Sequence, residues 1–216
     1  MNWPAAAVLL AVGVPAGVAA NRIADEVARR RPDARRRTRL PGRGPLVLVA
    51  TPLLFAGCGL AFDLPRAVVA AFYCFVLVTV SSVDAEQRIV PNRIVVPATV
   101  IILAAQSAIE PSVEWIAASA AGGGFFFVAA LAYPAGMGMG DVKLALVLGA
   151  MLGWPVAVAI AVALLSSLVP SIAILIRHGR GGRKMGIPFA PFLALGGVVA
   201  LFAGRGLLDA YLDTLG

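Results

Sequence analysis

AVVAAFYCFVLVTVSSVD, residues 67–84, runs seventeen positions without a charge and then places an aspartate. A stretch that long and that apolar reads as a helix crossing a bilayer, because about 20 such residues span the hydrocarbon. Seven further apolar runs flank it, at 3–20, 46–62, 94–109, 115–133, 142–153, 155–176 and 189–208. The whole chain of 216 residues is 60% hydrophobic and 13% charged, with a mean hydropathy of +0.91. Soluble domains carry roughly 25% charged residues, so a water-soluble domain is excluded. The expected fold is all-α: a polytopic transmembrane helical bundle of about eight spans, forming a single membrane-embedded domain over 1–216 with a basic loop at 22–45.

Threading the runs alternately through a bilayer puts 16 of the 18 Lys and Arg on one side. Nine fall between Arg22 and Arg43, followed by Arg88, Arg93, Lys143 and four from Arg177 to Lys184; Arg66 and Arg205 stand on the other side. Lys and Arg accumulate in cytoplasmic loops, so the rich side is expected to face the cytoplasm and both termini to lie outside it. The net charge of +7 then meets anionic lipid headgroups, not nucleic acid, since no region outside the membrane is large enough to bind a nucleic acid. Membrane lipids are the expected surroundings. Cys58 and Cys74 lie within apolar runs without CxxC spacing and read as embedded thiols. His178 has no Cys or His at ligand spacing and reads as a surface residue. No metal and no cofactor is expected.

The run 142–153 is short: 12 residues make about 18 Å of helix against about 30 Å of hydrocarbon. One of its ends is therefore sunk below the headgroups, and if that is the N-terminal end, Asp141 lies near or inside the boundary. Of the eleven acidic residues, Asp63, Glu110, Glu114, Asp209 and Asp213 fall in outer loops or the tail, and Asp25, Glu26 and Asp33 sit among arginines as charge partners. Asp84, Glu86 and Asp141 remain.

Asp84 and Asp141 both border spans at the basic side, where an ionisable group is a functional candidate by default. The plain alternative for Asp141 is a helix N-cap; for Asp84 it is an exposed loop acid, disfavoured by the helix dipole at a C-terminal end. If the two carboxylates converge, they cannot both ionise and share a proton. The ionised one activates water and the protonated one polarises a carbonyl, which amounts to peptide hydrolysis by an aspartic pair. In Gly136-Met137-Gly138-Met139-Gly140-Asp141 the glycines remove bulk beside the acid, so an extended backbone can lie alongside. The plain reading of the same stretch is an interhelical connection. Glu86 reads either as attracting a basic peptide or as a solvated loop acid. Lys143 either steadies the Asp141 region or snorkels to the interface. Pro188 and Pro191 open the last span, where missing N–H groups cost least, and shape the groove.

Three segments together resemble the prepilin peptidases, the type IV leader peptidases. They are Asp84-Ala85-Glu86-Gln87-Arg88-Ile89-Val90-Pro91-Asn92, with its aspartate seven residues before a proline, then Gly138-Met139-Gly140-Asp141-Val142-Lys143-Leu144, which is similar to their GxGD motif, and Gly186-Ile187-Pro188-Phe189-Ala190-Pro191-Phe192-Leu193-Ala194. Residues 17–22, ending in Asn21-Arg22, resemble the end of their first span more weakly. The resemblance implies an aspartic endopeptidase that cuts the short basic leader from type IV pilin or pseudopilin precursors at the cytoplasmic face, with Asp84 and Asp141 in the catalytic positions. Many relatives carry paired CxxC cysteines in the first cytoplasmic loop, associated with zinc and with N-methylation. Here residues 22–43 contain no cysteine, which places methyltransferase activity in doubt. Competing readings are a presenilin-like protease, disfavoured because Val83 and not Tyr precedes Asp84, a proton-coupled transporter and a catalytically silent membrane subunit.

Overall fold

A computed structural model of the chain describes residues 3–30, 40–133, 137–179 and 187–214. Among them are eight helices: α1 (Trp3–Arg29), α2 (Arg43–Ala61), α3 (Leu64–Gln87), α4 (Asn92–Ile109), α5 (Glu114–Ala132), α6 (Met139–Leu152), α7 (Val156–His178) and α8 (Ala190–Asp213). They coincide with the eight apolar runs, and no strand occurs among the described residues. Backbone polar groups without water must bond within their own segment, and helices alone do that without closing a barrel. Seven of the eight are long and apolar enough to cross a membrane; α6 is not.

The 14 residues of α6 make about 21 Å of helix. It nevertheless runs beside most of α4. Lys143 Nζ donates to Asn92 Oδ1 at 2.9 Å near one end, and Gln106 Nε2 donates to the Met151 carbonyl at 2.9 Å near the other. Beyond Gly153, whose φ of 68° stops the helix, the Trp154 N–H reaches Glu114 Oε1 at 3.1 Å. A short helix with both ends tied to longer neighbours is a core element, and nine of its residues, Val142 and Leu144 through Leu152 except Leu146, are buried.

The other central element is α3, which packs against α1, α2, α4, α6 and α8. Tyr73, Leu77 and Val80 of α3 bury with Leu144 and Leu148 of α6 and Leu193 of α8. The α1–α2 hairpin covers one flank and packs backbone to backbone: a Cβ on Gly13 would lie 2.5 Å from Pro52 Cα, and one on Gly59 would lie 2.6 Å from Ala6 Cα. Small residues that admit such approach supply van der Waals contact where lipid removes the hydrophobic drive. The outer rim is apolar instead of polar, with Leu53, Leu165, Val169 and Ile176 all more than 60% exposed, as a bundle surrounded by lipid requires. Cys58 and Cys74 are buried free thiols facing each other across α2 and α3, 3.9 Å between sulfurs.

The basic segment expected as a loop over 22–45 is narrower. α1 continues to Arg29 and α2 begins at Arg43, because Ile23, Ala24, Val27 and Ala28 keep a helical face and Glu26 pairs with Arg30 one turn on, Nε to Oε1 2.7 Å. Asp25 balances Arg43 and Glu26 balances Arg29 and Arg30, as expected. Asp33, Gly136, Gly186 and Lys184 lie outside the described residues, as does the side chain of His178.

Candidate active site

Asp84 stands in the last turn of α3, 6% exposed. The reading of an exposed loop acid is thus overturned. Helix continues past Val83 because Ala85, Glu86 and Gln87 are favourable helix formers, and it ends only at Arg88. There the backbone takes φ 53° and ψ 46°, and the Arg88 N–H closes on the Asp84 carbonyl at 2.8 Å. Arg88 is the one non-glycine residue with positive φ among the described residues. A left-handed conformation costs about 1–2 kcal/mol for an L side chain and persists where the surroundings dictate it. Here it turns the chain sharply into Ile89, Val90 and Pro91, under α6.

A carboxylate at a helix C-terminus opposes the dipole of its own helix. The structure answers this with a second helix: the N–H of Ala190, first residue of α8, donates to Asp84 Oδ2 at 3.1 Å. The positive end of α8 therefore faces the carboxylate, and one of the orphan N–H groups of its first turn is satisfied. The sequence reading missed this role of Ala190. The signal lay in the apolar Pro188–Phe189–Ala190–Pro191 entry to the last span, but an N–H contact carries no side-chain signature.

Asp141 is the third residue of α6 and not its N-cap, which is Gly138 and makes no side-chain cap bond. The capping alternative placed the helix start three residues too late. The Asp141 N–H donates to the Gly138 carbonyl at 3.1 Å. Burial first, and the neighbouring charge of Asp84 second, push the Asp141 carboxyl up to about 7, against a smaller opposing effect of the Gly138 N–H. Both aspartates line one cleft of about 450 Å³ with Arg88, Ile89, Val90, Pro91, Asn92, Gly138, Met139, Gly140 and Lys143. Residues far apart in sequence are thus brought to one end of the bundle, close enough for one charge to perturb the other.

The two glycines differ. A Cβ on Gly140 would meet Val90 Cβ at 2.8 Å and Cγ2 at 3.0 Å, so its absence lets the first turn of α6 rest on the α3–α4 connection. A Cβ on Gly138 would find nothing nearer than 3.8 Å, and its φ of −85° is ordinary. Lys143 lines the cleft and is held by Asn92. Pro188 is half-buried just ahead of α8 but does not line the cleft.

Glu86 is in neither expected state. It is 6% exposed and lies away from the cleft lining, with Oε2 3.1 Å from Arg43 Nη1 and Oε1 accepting the Leu40 N–H at 3.2 Å. Arg43 also holds Asp25, Nη2 to Oδ1 2.5 Å. One residue before the end of α3 and two beyond Asp84, Glu86 ties α1, α2 and α3 together at the basic end through Arg43 and Asp25. The described residues hold no cluster of three or more His, Cys, Asp and Glu side chains suited to a metal.

Comparison with known proteins gives one concordant result. The type IV leader peptidase family matches residues 70–176, which include both aspartates. The chain is 31% identical over 175 residues to a prepilin leader peptidase/N-methyltransferase of Bacillus subtilis, covering 78% of this chain and 69% of that one. It is 31% identical over 181 residues to the protein of that name from Burkholderia pseudomallei, covering 78% and 57% respectively. Over 84 residues it is 46% identical to the Aeromonas salmonicida protein, which is 37% of this chain and 28% of that one. No solved structure matches.

Proposed function

The chain belongs to the type IV leader peptidase family, a family of proteases, and from that premise we propose that it is a membrane aspartic endopeptidase which removes the short basic leader of type IV pilin or pseudopilin precursors at the cytoplasmic face. The observation that carries the proposal is the meeting of Asp84 and Asp141 in one cleft at the basic end of the bundle. Positive residues gather in cytoplasmic loops, so that end faces the substrate's leader, and both termini then lie on the opposite side.

The mechanism follows from two carboxylates sharing one proton. The ionised aspartate takes a proton from water as the oxygen attacks the scissile carbonyl carbon, and the protonated one donates a hydrogen bond to the carbonyl oxygen. Collapse of the tetrahedral intermediate breaks the C–N bond, and a carboxyl proton passes to the leaving amine. Ala190 keeps Asp84 oriented through its N–H. Gly140 sets the depth of Asp141 against Val90. Gly138 and Lys143 border the path of the peptide, whereas Glu86 and Pro188 act on the frame and not on the substrate. Neither metal nor cofactor takes part, and methyl transfer is not included in the proposal, since residues 22–43 have no cysteine.

The test is leader removal from a prepilin by the purified chain, with Asp84→Asn and Asp141→Asn assayed separately. Each variant is expected to lose cleavage while remaining folded. Continued cleavage by either refutes the pair. Loss of proton flux in liposomes without any cleavage by wild type would instead mark a proton-coupled transporter, and inactivity in both assays a silent subunit.

A further inference from the structure

A second opening lies beside the cleft, between the end of α1 and the start of α4. It has a volume of about 780 Å³ and shares Pro91 and Asn92 with the aspartate cleft. Its floor is apolar, from Ile23, Val27 and Ile94, and its rim carries Arg22, Arg29, Arg30 and Arg93. Four arginines stand there against one glutamate, Glu26, which pairs with Arg29 and Arg30. Arg22 of α1 and Arg93 of α4 line the same opening, both exposed, with no ion pair to a described residue. Two like charges held at one mouth repel unless an anion lies between them. An apolar floor under a cationic rim, at the level where spans meet the headgroups, has the amphipathic layout of a phospholipid: acyl chain below, phosphate above.

We propose that this groove seats the headgroup of one anionic phospholipid, its phosphate held by Arg22 and Arg93 and its first acyl carbons laid on Ile23, Val27 and Ile94. Guanidinium forks suit phosphate oxygens, and the lipid bridges α1 to the α3–α4 connection on which the aspartate cleft is built. A basic leader peptide is repelled by the same rim, so the groove is not the leader's path.

The probe is phosphatidylglycerol against phosphatidylcholine of identical acyl chains, with retention on the full-length Asp84→Asn protein in neutral detergent counted by native mass spectrometry, so that the result does not depend on peptidase activity. Preferential retention of phosphatidylglycerol by this protein is expected. Arg22→Gln with Arg93→Gln should weaken that retention about thirtyfold, from about fivefold for each charge near a lipid phosphate. Glu26→Gln, which frees Arg29 and Arg30, should strengthen it. This change of opposite sign separates recognition from damage to the fold. Equal retention of the two lipids, displacement of lipid by millimolar inorganic phosphate, or an unchanged affinity in the arginine variant would each overturn the proposal. So would an arginine variant that keeps its lipid but raises KM for precursor, which would assign the groove to the substrate polypeptide.

Discussion

Alanine at residue 140 and alanine at residue 138 look equivalent from the motif, yet the structure separates them sharply. The Gly140→Ala methyl would stand 2.8 Å from Val90 Cβ and 3.0 Å from Val90 Cγ2. Carbon atoms rest at about 3.5–4.0 Å, so the first turn of α6 and the α3–α4 connection must part by roughly 0.7–1 Å. Overpacking of this kind costs about 1–3 kcal/mol, and alanine returns up to about 1 kcal/mol in helix propensity over glycine. With that full return the net loss of stability is about 0–2 kcal/mol, too small to unfold the bundle. Catalysis is more sensitive, because Asp141 is the next residue and a misplacement of about 1 Å costs on the order of a hundredfold in rate. Gly140→Ala is expected to lose about a hundredfold in kcat for leader cleavage, with a small fall in Tm. Gly138→Ala, whose methyl meets nothing nearer than 3.8 Å, should lose no more than a few-fold. Adding Val90→Gly to Gly140→Ala removes both close atoms and should recover at least tenfold. Cleavage of a prepilin in detergent, with thermal melting of the same preparations, measures all three. Equal damage from the two alanines, or no recovery in the double variant, would show that the contact with Val90 does not set the position of Asp141.

Glu86→Ala leaves the Arg43 guanidinium, 12% exposed, without its buried partner; breaking such a pair costs about 3–5 kcal/mol, lessened here by Asp25, and a lower Tm with an unchanged KM for precursors of differing leader charge is the expected result. Asp84→Asn and Asp141→Asn should each lower cleavage by a thousandfold or more while extracting from membranes as wild type does; gross misfolding of either would return that carboxylate to a structural role. Cleavage should fall as pH rises through about 7, where Asp141 gives up its proton. In stability the sign is the same: the folded form keeps a proton that the unfolded form, near 3.8, has released, so stability attributable to Asp141 declines between about pH 4 and 7. Asp141→Asn cannot ionise and should melt progressively higher relative to wild type over that interval. Excess EDTA should leave cleavage intact, and its complete, zinc-reversible loss would contradict a reaction run by two carboxylates and water.

The helices and their order could be read along the chain because lipid makes hydropathy a direct record of burial in the membrane: wherever about 20 apolar residues follow one another, no other conformation satisfies the backbone. Asp84 and Asp141 stood out for the same reason, as charges at the edge of runs that exclude charge. Glu86 was misread because its partner, Arg43, is 43 residues distant and a charge pattern does not announce long-range pairing. Ala190 was overlooked because the group it contributes is an N–H, which every residue but proline has. The two glycines were indistinguishable because what separates them is a neighbour, Val90, and not their own chemistry. Local composition thus determined how many helices form, which end is basic and which acids are out of place. Packing alone decided that α8 points its positive end at Asp84, that α6 lies low enough on Val90 to bring Asp141 into the same cleft, and that Glu86 braces the frame, since distances between helices arise from side chains meeting across the bundle and are written in no single segment.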